Sequence, residues 1–174
     1  MNPLERLTRV IEDWPIPGVS FQDLTGVLAS GEGLNYIAES LHAAFEDQSF
    51  DVVAGMEARG FIVGTAVAMK AGVGFIALRK EGKLPGETVR AEYELEYGSA
   101  AIEVHSADVT AGLRVLIIDD VLATGGTALA ACELVESCGG VVVGAGFVLS
   151  LDFLGGRDKL AAHRVVALSS VSAE

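Results

Sequence analysis

The sequence has 174 residues, 51% hydrophobic and 21% charged, a globular composition that suits one domain with its own core. Twenty-four acidic against 12 basic side chains leave a net charge of −12, which argues against nucleic acid, whose phosphates are held mainly through Lys and Arg. No apolar run approaches the ~20 residues of a membrane span, and the N-terminal MNPLERLTRVIEDW is charged throughout, so no membrane partner and a cytoplasmic location are expected.

Leu4, Leu7, Val10 and Ile11 recur at helical spacing and predict an N-terminal helix ending near Asp13. WPIPGVSFQD cannot continue it, because Pro15 and Pro17 remove N–H donors and bias their predecessors toward extended backbone. Leu34, Ile37, Leu41 and Phe45 share one face of a second helix, predicted over 33–45. From there the pattern alternates: a strand at 51–56, a helix at 60–70 and a strand at 72–79. A strand at 113–119, a helix at 127–138 stopped by Gly139-Gly140, and strands at 141–150 and 163–168 follow. Nearly all-apolar strands separated by helices imply a single α/β domain with a mostly parallel central sheet flanked by helices. Cys132 and Cys138 fall on one predicted helix at a spacing that matches no common metal or redox motif, so free core-facing thiols are expected.

Between 79 and 113 the alternation breaks. EGKLPGETVRAEYELEYGSAAIEVHS holds two alternating segments, AEYELEY and AAIEVH, which predict an antiparallel hairpin rising from the sheet after an exposed loop. A long polar insertion in a compact domain reads as a flexible lid, here about residues 80–106.

VLIIDDVLATGGTALA carries the most specific signal. In open α/β sheets ligands bind at the carboxyl ends of strands, and Asp119 and Asp120 close an apolar strand. Ala123, Thr124, Gly125, Gly126 and Thr127 then offer backbone N–H groups uncluttered by side chains, followed by a helix N-terminus. That combination is an anion site suited to a phosphate. The adjacent carboxylates cannot bind phosphate but can accept hydrogen bonds from neighbouring hydroxyls, as in a ribose diol. The bland alternative is a Gly-rich turn before a Thr-capped helix, with both Asp side chains solvated. Neither a Walker A loop nor a G-x-G-x-x-G fingerprint is present.

VLIIDDVLATGGTA closely resembles the 5-phosphoribosyl 1-diphosphate (PRPP) signature of type I phosphoribosyltransferases. The collinear segments PIPGVSFQDLT, GMEARGFIVG, LRKEGKLPGETV, YELEYGSAAIEVH and FLGGRDKL extend the resemblance, over nearly the whole chain, to the branch that uses adenine. It implies transfer of the 5-phosphoribosyl group from PRPP to adenine, giving AMP and diphosphate, with Mg2+ delivered by PRPP and no dedicated metal site. It further implies a homodimer, and a base-binding hood at about residues 1–30. By residue, it sets Asp119 and Asp120 on the ribose hydroxyls and Ala123 to Thr127 around the 5′-phosphate. Arg59 at a strand-to-helix turn contacts diphosphate, partly through a turn that in this family can hold a non-proline cis peptide; the bland alternative pairs Arg59 with Glu57. Lys80 and Lys83 neutralise the leaving diphosphate, Lys83 in preference to Arg79. Phe21 lies against the purine, backbone groups near Ser20 and Gln22 read its edge, and Val121 and Leu122 supply the opposite wall. Glu96 is the acid/base at purine N7, and Tyr97 belongs to the lid.

Four positions depart from the family pattern. Ser20 stands where relatives commonly have Val, Gln22 where they have Arg or Lys, Glu81 where they often have a base, and Ser150 where an acid is common. The first two keep other bases open, among them hypoxanthine, xanthine and orotate. A non-catalytic regulator that binds PRPP or nucleotide is the rival from another class. The absence of a spare domain, together with Lys83 and Glu96, favours an enzyme.

Overall fold

The structure, a computed structural model, describes residues 1–94 and 99–172. Asn2 opens α1 (Pro3–Leu7) with a capping box, accepting the Glu5 N–H at 2.9 Å while the Glu5 carboxylate accepts the Asn2 N–H at 3.2 Å. The helix ends at Leu7 rather than near Asp13. Thr8 is extended, and the chain enters β1 (Arg9–Ile11), which pairs antiparallel with β2 (Phe21–Asp23). The helical spacing misled because only Leu4 of the four apolar residues is buried, whereas Val10 and Ile11 lie exposed on the ribbon. A short helix, α2 (Thr25–Leu28), follows unannounced by any pattern. The next, α3 (Gly31–Ala44), starts earlier than its apolar stripe, since Ser30 Oγ accepts the Gly33 N–H at 3.3 Å.

The alternating part runs β3 (Val52–Met56), α4 (Arg59–Ala71), β4 (Gly74–Lys80), β5 (Thr88–Glu94), β6 (Ser99–His105), β7 (Arg114–Leu122), α5 (Gly126–Ser137) and β8 (Val141–Leu151). A 3-10 turn (Asp152–Leu154), α6 (Gly156–Lys159) and β9 (Val165–Val171) complete it. Seven strands form one sheet in the order β5–β6–β4–β3–β7–β8–β9. The five strands from β4 to β9 in that order are parallel, and β6 and β5 add antiparallel to the β4 edge. The hairpin therefore extends the sheet instead of rising from it. Ala101, Ile102 and Val104 of β6 are buried, and an apolar strand gains more by continuing the covered sheet than by standing in water.

β7 shows how two cores arise from one strand. Val115 and Ile117 pack on the α5 side with Ala131, Cys132, Leu134 and Val135. Leu116 and Ile118 point the other way, into the cluster holding Ile37, Leu41 and Phe45 of α3 and Val63 and Val67 of α4. Cys132 is fully buried and free, and its burial pushes the thiol up to about 12; Cys138 is free and half-buried. No helix of the described residues is long and apolar enough to cross a membrane.

Candidate functional site

The strand expected to stop at 119 continues to Leu122, carrying both acids inside its last turn of pairing: Asp119 lies opposite Phe147, and Val121 opposite Leu149. Side chains alternate along a strand, so neighbouring carboxylates diverge. Asp119 lines a cavity of about 90 Å3 together with Ala123, Thr124, Gly125, Gly126 and Thr127. Asp120 lines a second cavity of about 210 Å3, with Trp14, Phe21, Gln22, Arg59 and Val121. Burial, with the Asp120 charge adding to it, pushes the Asp119 carboxyl well above the ordinary carboxylate range. Asp119 Oδ1 also accepts the Asp120 N–H at 2.9 Å. The start of α4 presses against this point, and a Cβ on Gly60 would stand 2.7 Å from Asp119 Oδ1.

The 123–127 loop has the geometry of an anion nest. Gly125 takes φ +80°, a left-handed conformation, and serves as the N-cap of α5. Among the described residues no side chain caps α5, nor α4, although α3 has its Ser30 cap. The Thr-capped alternative for α5 is thereby excluded, and its first N–H groups remain available to a ligand. The loop rests on the turn after β8: a Cβ on Gly125 would lie 2.7 Å from the Gly156 carbonyl oxygen, and one on Gly156 only 2.2 Å from that of Ala123. Ser150, fully buried, donates to Asp152 Oδ1 at 2.5 Å, and the Arg157 Nε–H donates to the same oxygen at 3.1 Å. The acid of this network is Asp152, two residues after the serine. FLGGRD is the scaffold behind the loop.

Arg59 is ion-paired to Asp120, not to Glu57. The Glu57–Ala58 peptide between them is cis. Glu57 is occupied by Arg79, whose Nε–H and Nη2–H both donate to it at 3.3 Å, and by the Lys80 N–H at 3.1 Å. Arg79 also donates from Nη1 to the Lys83 carbonyl at 3.0 Å. Its guanidinium is thus committed within the protein, whereas Lys80 and Lys83 are exposed. Glu81 pairs with Arg90, which offsets its charge beside the two lysines.

In the second cavity Phe21 meets Trp14 edge to face, centroids 4.5 Å apart. Trp14, 51% exposed, escaped the sequence reading because nothing in WPIP distinguishes a ligand-facing ring from a packed one. Val121 lines both cavities, but Leu122 is buried and faces the loop cavity, so it is not a wall opposite Phe21. Gln22 reaches the Phe21 cavity. Ser20 does not: its hydroxyl donates to Glu12, and it lines a separate cavity of about 700 Å3. Glu96 and Tyr97 lie outside the described residues. Among the described residues no group of three or more His, Cys, Asp or Glu is arranged to hold a metal ion.

The family model described as Phosphoribosyl transferase domain matches residues 24–165. The chain is similar to the adenine phosphoribosyltransferase of Clostridium perfringens, 53% identical over 160 residues that cover 92% of this chain and 93% of that one. It resembles the crystal structure of adenine phosphoribosyltransferase from Thermoanaerobacter pseudethanolicus with a TM-score of 0.92 and 46% identity, covering 97% and 98% of the two chains. The Saccharomyces cerevisiae enzyme, solved with an imino-altritol bisphosphate and adenine, is 38% identical with a TM-score of 0.88, over 95% of this chain and 96% of that one.

Proposed function

The chain belongs to the phosphoribosyltransferase family, and from that premise we infer its reaction: transfer of the 5-phosphoribosyl group from PRPP to adenine, giving AMP and diphosphate in purine salvage. The observation that carries the site assignment is the pair of adjoining cavities, one walled by the 123–127 nest and Asp119, the other by Asp120, Arg59, Phe21 and Trp14. The 5′-phosphate occupies the nest and the open end of α5, and the ribose hydroxyls donate to Asp119 and Asp120. Arg59, released from Asp120 by the incoming diol, turns to the diphosphate, which Lys80 and Lys83 also neutralise. Adenine lies against Phe21 with Val121 nearby, its edge read by backbone groups around Gln22.

In the chemical step a bond forms from purine nitrogen to ribosyl C1 as the bond from C1 to diphosphate oxygen breaks, and the electron pair departs with diphosphate. The base loses a proton when it attacks through N9, and Glu96 is the group assigned to exchange a proton at N7. The hood of about residues 1–30 covers the centre and excludes water, the competing nucleophile, and Tyr97 is assigned to the same task. Asp119, Asp120 and the Thr124 and Thr127 hydroxyls are hard oxygen donors that could contact Mg2+ directly or through water, and a Mg2+ ion delivered with PRPP would spread the leaving group's charge. A cytoplasmic homodimer fits this reading, and exposed Ile62 and Met69, seven residues apart on α4, are apolar surface a second copy would cover.

An assay with PRPP, Mg2+ and each candidate base tests the reading. Adenine is expected to give AMP; turnover with hypoxanthine but not adenine would sink the specificity, and none with any base would leave a regulator.

A further inference from the structure

Glu103 sits on β6 with 5% of its surface exposed, and no cation among the described residues pairs with it. Arg79 and Arg90 are its partners in register on the two adjacent strands, yet Arg79 is bound to Glu57, and Arg90 to Glu81 and Glu92. What answers the charge is backbone. Glu103 Oε1 accepts the N–H groups of Lys83 at 3.0 Å and Leu84 at 2.9 Å, and Oε2 accepts the Thr88 hydroxyl at 3.4 Å. A buried carboxylate without a counter-ion is costly unless its lone pairs are filled. Here they are filled only while residues 83–84 stay in place, so the charge and the loop conformation depend on each other. The Arg79 guanidinium holds the Lys83 carbonyl from the other side, at 3.0 Å. Gly82, at φ +77°, permits the turn that brings Lys83 N–H to within 3.2 Å of the Lys80 carbonyl.

By sign alone, a carboxylate is the wrong group to keep near a site that receives diphosphate in a chain already at −12. An apolar residue would suit the covered sheet and remove that repulsion, but it would leave the Leu84 N–H unpaired and the Lys83 N–H with only its longer bond to the Lys80 carbonyl. We propose that Glu103 is a positioning residue for the diphosphate half of the site, fixing the backbone of Lys83 and Leu84 so that the Lys83 ammonium is presented to the leaving group. The proposal rests on the assignment of Lys83 to diphosphate made above.

The test is calorimetric titration of the full chain with Mg2+–diphosphate, and separately with AMP, which carries no diphosphate. Glu103→Gln keeps the size of the side chain and one carbonyl acceptor but loses the charge. It is expected to weaken diphosphate roughly tenfold, the scale of one charge-assisted hydrogen bond, and to leave AMP unchanged. In a Lys83→Ala background the same substitution should add nothing further. Glu103→Ala should weaken diphosphate more; if that variant does not fold, Glu103→Gln alone decides. Wild-type diphosphate affinity in Glu103→Gln, equal loss for diphosphate and AMP, or additive losses in the double variant would each overturn the proposal. If Lys83→Ala weakens diphosphate and Glu103→Gln does not, only the role of Glu103 fails. If Lys83→Ala also binds normally, the assignment of Lys83 fails with it.

Discussion

Replacing Asp120 by Asn keeps the shape of the side chain but removes the charge that holds Arg59 and that is proposed to receive the ribose diol. Asp120→Asn and Asp119→Asn are each expected to weaken PRPP by about 10- to 100-fold, the range for losing hydrogen bonds to a charged group; steady-state KM values check this. The two should differ in stability. The folded state raises the Asp119 carboxyl above its unfolded value, so the folded chain holds the proton longer, and stability falls as pH rises through that interval. Asp119→Asn therefore raises the unfolding temperature of the unliganded protein at neutral pH while it damages binding, and a thermal melt that drops instead would refute the sign. Asp120→Asn instead leaves Arg59 without its ion-pair partner. Cys132 belongs to the same scale: with its thiol pushed up to about 12 inside the core, it should stay unalkylated at pH 8 until the chain unfolds, as intact mass would show.

Between elements the decisive contacts are backbone against backbone. α5 can present its N-terminus only because the Gly125 loop leans on Gly156, and the Cβ of a Gly156→Ala variant would meet the Ala123 carbonyl at 2.2 Å. The loop must move, so this variant is expected to raise KM for PRPP at least about tenfold, since displacing a binding element by an ångström costs on that scale or more. Gly31 is the contrast. It opens α3, and a Cβ there meets nothing within 4 Å, so Gly31→Ala should leave kinetics intact and stabilise the chain by up to about 1 kcal/mol. Comparable KM values for the two alanine variants would show that loop packing does not set the phosphate site. The 123–127 loop itself was legible as a string of small residues before a helix. Its support was not, because FLGGRD lies some 30 residues downstream and nothing local marks it as the surface the loop rests on.

Across the whole molecule the acidic balance makes stability depend on cations placed beside carboxylates. The Arg114 guanidinium holds Asp51 down from its ordinary 3.8 to about 2, and the same cause, arginine hydrogen bonding, lowers Asp47 and Glu57. These groups have depressed folded values, so their contribution is complete above the unfolded carboxylate range and is lost as pH falls toward 2. Asp51→Asn should lower the unfolding temperature at pH 7, and its difference from wild type should shrink steadily below pH 4. A difference that persisted at pH 2 would mean the Asp51–Arg114 contact acts through packing, not charge.

The sequence by itself determined the layered α/β architecture, most strands to within a few residues, and the strand, small-residue loop and helix of VLIIDDVLATGGTA. These follow from the period of apolar side chains and from the special backbone of small residues, both local properties. At residues 4–11 local periodicity predicted one helix, which holds only to Leu7, since pairing of Arg9–Ile11 with Phe21–Asp23 decided the rest. Only the tertiary structure separated Asp119 and Asp120 into different cavities, gave Arg59 to Asp120 rather than to Glu57, and set Glu103 under the Lys83 loop. Arg59 and Asp120 are 61 residues apart, and Glu103 and Lys83 are 20 apart. Such partners are chosen by strand order and register, which depend on how distant segments share one sheet and which no stretch of the chain records alone.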